Sequence, residues 1–384
     1  MYDQGTSPLC IIKRRRVYVW QTLIFTFQPP HTMSSTELPA SFHLPDLLST
    51  WPWLRRINPH YLDVKEESAY WLQSFNALSS KAQRAFNACD FTLLTALSYP
   101  DFDKEQLRTA SDLMHLFFLY DEKTDVESPS GVQAIANVTM NSLRNPSSHR
   151  ARDEPLMGEV MRQFWRRASK SANKNAQRRF IEHFDLHTKA MTQQAEDRSR
   201  NYLPMRNIKS YMELRRLTIA TRPAFTVLEF FLDLPDEVFQ HPSVDDLITC
   251  GTDLIILSND VYSYHVEAAR GDAGHNIITI VMNDLQVDLS TALQCVEGYA
   301  ENARNRFING LVNVPSFGIS VDEQLSIYLH GIGNCVRGHD SWCFESERYF
   351  GKVGKDVQKD RLLYIDPSLQ QLQSQVAIGH TITV

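Results

Sequence analysis

The sequence has no Cys-x-x-Cys pair, no His-Glu-x-x-His, no phosphate loop ending in Gly-Lys-Ser/Thr and no Gly-x-Ser-x-Gly. These absences remove the common zinc, nucleotide-hydrolysing and serine-hydrolase chemistries. Gly331-Ile332-Gly333 lies inside a helical pattern with no strand before it, so it is no dinucleotide fingerprint. Glycine and proline are sparse, 15 and 17 among 384 residues, which excludes collagen-like or low-complexity architecture. The six cysteines, Cys10, Cys89, Cys250, Cys295, Cys335 and Cys343, are scattered and read as reduced thiols rather than a disulfide framework. No apolar run approaches the ~20 residues that a membrane-spanning helix needs. Neither an alternating strand pattern nor an internal repeat stands out.

Charge is unremarkable in sum. Lys+Arg 39 against Asp+Glu 45 gives −6, which argues against nucleic acid as a partner. Its distribution is uneven, because Lys13, Arg14, Arg15 and Arg16 face a single acid, Asp3, in the first 32 residues. An apolar stretch, 17–27, follows these basic residues much as in a signal peptide, but no small-x-small cleavage site comes after it. Met33-Ser34-Ser35-Thr36-Glu37 reads as a natural beginning. Residues 1–32 are therefore expected to be a disordered or spurious extension rather than a membrane-surface anchor. The Gln-rich tail, 366–384, is expected to be poorly ordered.

What the sequence has is helical periodicity. Apolar residues recur at three- and four-residue spacing over 66–78, 81–97, 103–121, 156–171, 176–195, 208–221, 224–232, 244–267, 289–312, 321–338 and 339–350. Leu107, Ala110, Met114 and Phe117 form one such stripe. Proline and glycine gather between the segments. The expectation is one all-α domain over 33–365.

Two acidic or polar columns emerge from these stripes. Asp121 and Asp125 are four residues apart, on one helical face, just after Leu116-Phe117-Phe118-Leu119. Like charges so placed, at a helix C-terminus that already disfavours anions, are relieved by a divalent cation such as Mg²⁺. The same pair also reads as a solvated acidic helix end. Asn259, Ser263 and Glu267 stand at i, i+4 and i+8 after the apolar Leu254-Ile255-Ile256-Leu257, so three oxygen donors share one face of a buried helix. They need hydrogen-bond partners or a metal. Arg215-Arg216 and Arg348-Tyr349 add forks that suit phosphate oxygens or surface ion pairs.

Taken in order, these residues resemble the class I terpene synthases, and among them the fungal sesquiterpene cyclases. Asp121-Glu122-x-x-Asp125 looks like the aspartate-rich motif. Asn259-Asp260-x-x-Ser263-x-x-x-Glu267 looks like the second metal motif, and Arg348-Tyr349 like the C-terminal Arg-Tyr pair. Arg216 looks like the diphosphate-sensing arginine, and Ala220 takes the place of the small residue, often glycine, that follows it. Val266 stands where many relatives carry Lys or Arg, and Glu122 where the commonest form has Asp.

The resemblance implies a single-domain class I terpene synthase helical bundle around a central active-site cavity. It implies a Mg²⁺-dependent lyase that ionises farnesyl diphosphate, releases diphosphate and cyclises the allylic cation to a sesquiterpene. Asp121, Asn259, Ser263 and Glu267 would hold Mg²⁺, three ions in this family, with Glu122 and Asp125 as ligands or supports of ligands. Arg216, Arg348 and Tyr349 would bind the diphosphate. Phe117 and Ala220 would line the substrate cavity, with Phe118, Phe225 and Trp342 as further wall residues. The implied state is a cytoplasmic monomer or homodimer without stable membrane insertion. The alternatives are a related cyclase of geranyl or geranylgeranyl diphosphate, and a non-catalytic prenyl-ligand binder with a vestigial metal site.

Overall fold

The computed structural model describes residues 39–364. The expectations for 1–32 and 366–384 lie outside them. Helices follow one another almost without interruption: α1 (Tyr61–Gln73), α2 (Ser80–Ala88), α3 (Phe91–Ser98), α4 (Lys104–Thr124), α5 (Pro129–Arg144), α6 (Leu156–Ser171), α7 (Lys174–Ser199), α8 (Ile208–Thr218), α9 (Thr221–Glu229), α10 (Asp236–Gln240), α11 (Pro242–Arg270), α12 (Ile277–Leu285), α13 (Leu289–Leu311), α14 (Ile319–Glu345) and α15 (Gly354–Asp360). Two three-residue strands, Ser41–His43 and Leu362–Tyr364, pair antiparallel with Phe42 opposite Leu363 and join the two ends of the domain.

The starts and stops have local causes. Asp103 accepts from Gln106 N at 2.9 Å while the Gln106 side chain accepts from Asp103 N at 3.0 Å, a capping box that opens α4. Asn173, Asn207 and Asp288 cap α7, α8 and α13 in the simpler way. Gly271, at φ 78°, ends α11 in the left-handed conformation that glycine adopts freely.

Packing puts α4, α7, α8, α9, α11 and α14 around a central space. Helix α11 lies between α13 and α14, α3 wedges between α14 and α4, and α5 packs outside α6 and α7. The close approach of α14 to α3 depends on Gly338, where a Cβ would stand 2.6 Å from the backbone of Leu97 and Ser98. The segment before α1 straps across α14. Trp51 donates to Gly333 O at 3.0 Å, Trp53 to His330 Nδ1 at 2.9 Å, and Arg337 to the Trp53 carbonyl at 2.9 Å.

Several boundaries differ from the periodic reading. The segment 81–97 is two helices, because Asp90 turns left-handed (φ 48°) and caps α3 through Leu93 N. The segments 321–338 and 339–350 are one helix that stops at Glu345, so Arg348 and Tyr349 lie beyond it in a turn. Helices α5, α10, α12 and α15 carry no prediction from periodicity. No helix among the described residues is long and apolar enough to cross a membrane.

Candidate active site

The central space is a cavity of about 390 Å³, within the range of small-molecule sites. Its mouth is polar. Asp121 reaches it from the last turn of α4, and Asp125 from the residue after that helix. Burial raises the Asp121 carboxyl above its usual range, while the charges of Arg348 and Arg215 pull it back. Burial and then repulsion from Asp121 push Asp125 up to about 7. The Asp125 side chain borders the cavity and is 54% exposed, so solvent moderates that rise. Arg198 of α7 holds this helix end, donating to Thr124 O at 3.0 Å and Glu127 O at 3.1 Å, with its other terminus 3.9 Å from Asp125. Glu122 is exposed and does not line the cavity, standing ~100° round α4 from Asp121.

Asn259, Ser263 and Glu267 line the facing wall as the i, i+4, i+8 spacing requires. Asn259 is fixed at both ends of its amide: Oδ1 accepts from Arg215 Nη2 at 2.7 Å, and Nδ2 donates to the Tyr349 hydroxyl at 2.9 Å. Glu267 accepts from Asn276 Nδ2 at 2.9 Å. Burial, then repulsion from Asp260, pushes its carboxyl up to about 7. Asp260 itself faces the other way. It accepts from the Tyr211 hydroxyl, from Arg215 at 2.9 Å and from Ile277 N at 3.0 Å, tying α11 to α8 and α12.

The paired arginines divide. Arg215 lines the cavity; Arg216, expected to do so, does not. Successive residues on a helix point ~100° apart, so the rotation of α8 can turn one of two neighbours to the site and the other away. Arg216 instead makes a two-pronged bond to Asp253, at 2.7 and 2.8 Å. Arg348 reaches the mouth from the turn after α14, its guanidinium 5.1 Å from the Phe118 ring centre. Its buried Nε has no acceptor.

Between α8 and α9 the backbone breaks. Thr218, Ile219, Ala220 and Thr221 all border the cavity, and Ala220 takes a left-handed conformation at φ 60°. Without side-chain branching, alanine is among the cheaper non-glycine residues to hold there.

Below the mouth the walls turn apolar. Leu94, Met114, Phe117, Phe118, Phe225 and Ile255 line them. Phe117 stacks on Phe184 at 5.6 Å and Phe118 on Phe91 at 3.8 Å. Trp342, expected in the wall, is wholly buried behind it. Its indole N–H donates to Cys89 O at 2.7 Å, and its ring lies 5.8 Å from Phe118.

Sequence reasoning named Arg215 but preferred Arg216, and it missed Arg198, Tyr120, Gln194, His187 and His339, all of which border the cavity. On α7 the signal was present: His187, Met191, Gln194 and Arg198 stand at i, i+4, i+7 and i+11 on one face.

Comparison with known proteins places these features. The family described as "Terpene synthase family 2, C-terminal metal binding" matches residues 112–306. A Δ6-protoilludene synthase of Stereum hirsutum is 44% identical over 90% of this chain and 94% of its own length. One from Armillaria gallica is 44% identical over 88% and 97%. Sesquiterpene synthase 9 of Postia placenta is 41% identical over 85% and 94%. Among solved structures, germacradien-4-ol synthase from Streptomyces citricolor superposes with a TM-score of 0.67 at 23% identity, covering 76% of this chain and 96% of that one. Linalool/nerolidol synthase from Streptomyces clavuligerus, in complex with 2-fluorogeranyl diphosphate, gives 0.68 at 17%, covering 77% and 97%. The last two likenesses concern the fold.

Proposed function

This chain belongs to the terpene synthase family, and from that premise we propose that it ionises farnesyl diphosphate and cyclises the resulting cation. The relatives named Δ6-protoilludene synthases support that sesquiterpene as its product. The observation that carries the reading is the division of one cavity into a charged mouth and an aromatic floor.

The mouth fits a divalent cation. Its donors are hard oxygens, and two of its carboxyls, Asp125 and Glu267, are held near 7 by burial and repulsion that a cation would relieve. Among the described residues no three His, Cys, Asp or Glu side chains converge on one point. Substrate phosphate oxygens and water would supply the remaining ligands that Mg²⁺ takes. Asp121, Asn259, Ser263 and Glu267 would hold Mg²⁺, three ions on this reading. Bound Mg²⁺ supplies Lewis-acid neutralisation of the leaving diphosphate.

The chain's own groups do the rest. Arg215, in place of Arg216, and Arg348 give charge-assisted hydrogen bonds to the phosphate oxygens, and the unpartnered Arg348 Nε is one donor ready for them. The Tyr349 hydroxyl, already accepting from Asn259, is free to donate its proton in a hydrogen bond to the diphosphate. Asp125 with Arg198 keeps the end of α4 in place. Phe117, Phe118 and Phe225 exclude water and offer ring faces to the cation.

Chain length is the sharpest test. Equimolar geranyl, farnesyl and geranylgeranyl diphosphate are supplied with Mg²⁺, and volatiles are resolved by gas chromatography–mass spectrometry. Farnesyl diphosphate should be consumed first and give a cyclic sesquiterpene. Preference for either other chain overturns the substrate, and consumption of none returns the protein to a ligand-binding role.

A further inference from the structure

A farnesyl-derived cation becomes a hydrocarbon only by losing a proton, and the cavity contains one side chain built to take it. We propose that His187 is the general base that ends the reaction, its Nε2 accepting the proton from the final carbocation. This inference rests on the cyclase reading above.

The geometry fixes which nitrogen is free. His187 Nδ1 lies 3.0 Å from the carbonyl oxygen of Leu217. A carbonyl only accepts, so Nδ1 carries the proton of the neutral ring and Nε2 carries the lone pair. Nε2 has no partner among the described residues, in an imidazole only 4% exposed that borders the cavity. The ring stands among aromatic faces, 5.7 Å from Phe117, 5.7 Å from Phe184 and 5.8 Å from Tyr120. It stands eleven residues, ~16 Å along α7, before Arg198 and beside Phe117, one turn below Asp121 on α4. A base is useful there, because the hydrocarbon chain reaches that depth and the phosphates do not.

Other groups in the cavity suit the task less. Tyr120 Oη and Gln194 Oε1 are buried without partners, but a protonated phenol and an amide oxygen are weak proton acceptors. Both ring nitrogens of His339 have neighbours, Ser258 Oγ at 3.1 Å and Cys343 Sγ at 3.7 Å. His275 is under the charges of Arg215, Arg206 and Arg198 and sits at the mouth. Burial keeps His187 neutral, with its pKa pushed down to about 4, so a carbocation meets a lone pair and no repelling charge.

The step balances without a further reagent. The electrons of a C–H bond next to the cationic carbon form the new C=C bond, and the proton goes to Nε2. The imidazolium returns it to the departing diphosphate or to solvent as the site opens. Leu217 belongs to the last turn of α8, so Nδ1 also satisfies a carbonyl at that helix end.

Two variants separate these roles, read by diphosphate release and by product composition. His187→Gln offers an amide donor to Leu217 O and removes the basic nitrogen. His187→Phe removes both. Ionisation precedes the assigned step, so in both variants release should fall less than about threefold. The main hydrocarbon should fall by about a hundredfold or more, the low side of what a positioned base supplies. Alcohols and early-terminated olefins should replace it. A wild-type profile in His187→Gln, with a shift only in His187→Phe, reduces His187 to a helix-end contact and overturns the proposal. An unchanged profile in both overturns it too. A wild type that releases no diphosphate from any prenyl substrate overturns the functional reading itself, and this assignment with it.

Discussion

The mouth and the floor of the cavity feel the same desolvation and use it in opposite ways. At the mouth, burial drives Glu267 up to about 7, towards a form that needs a cation to recover its charge. At the floor, burial drives His187 down to about 4 and His339 to about 3, so both stay neutral where a carbocation must travel. One physical cause thus makes a cation-hungry end and a charge-free end. The difference teaches that ionisation and ring formation are separable properties of this fold.

The largest expected break is at the mouth. Asn259→Ala or Glu267→Ala should lower turnover by about 10³ or more through loss of a metal ligand. Thermal unfolding should move little, since Glu267 is only partly ionised near neutrality. Unaltered kinetics in either variant would remove α11 from the metal site. Next come the neighbouring arginines. Arg215→Gln should cost about 10²–10³ in kcat, as for loss of one preorganised donor to developing charge. Arg216→Gln should cost stability, about 1 kcal/mol through Asp253, with only a minor change in rate. Equal rate losses would contradict the division of the pair. Asp125→Asn should raise the Mg²⁺ concentration for half-maximal activity by about tenfold, as for groups that support metal ligands.

The smallest effect concerns the floor and its stability. His187 has its folded pKa about 4, below the ordinary 6.5, so the unfolded chain takes the proton first as pH falls. The stability that neutral His187 contributes is complete above 6.5 and is lost as pH falls through 4. Against His187→Gln, the wild type should lose about 1.4 kcal/mol per pH unit within that window. Urea unfolding at pH 7, 6 and 5 reads this directly, and parallel curves would mean that the imidazole is not held neutral.

Much of the fold was legible because helix periodicity survives without neighbours. Boundaries failed where tertiary contact decided them. The periodic reading broke α14 after Gly338, yet Gly338 is needed for contact with α3. Asp90 carried a cap signal before Phe91-Thr92-Leu93, hidden inside an apolar pattern that continued across it. The polar columns were legible because spacing on one helix fixes one face. The choice between Arg215 and Arg216 was not, since it depends on how α8 is rotated against α11. His187 shares a face of α7 with Met191, Gln194 and Arg198, but only the packing of α7 shows that this face meets the cavity.

The most direct test of the whole account is diphosphate release and volatile composition measured together on wild-type protein with farnesyl diphosphate, as Mg²⁺ is titrated from zero. The account predicts no release without the metal, then release that rises with it and one dominant cyclic hydrocarbon at every concentration. Release without metal, or release that yields farnesol alone, would contradict the division between a mouth that ionises and a floor that guides.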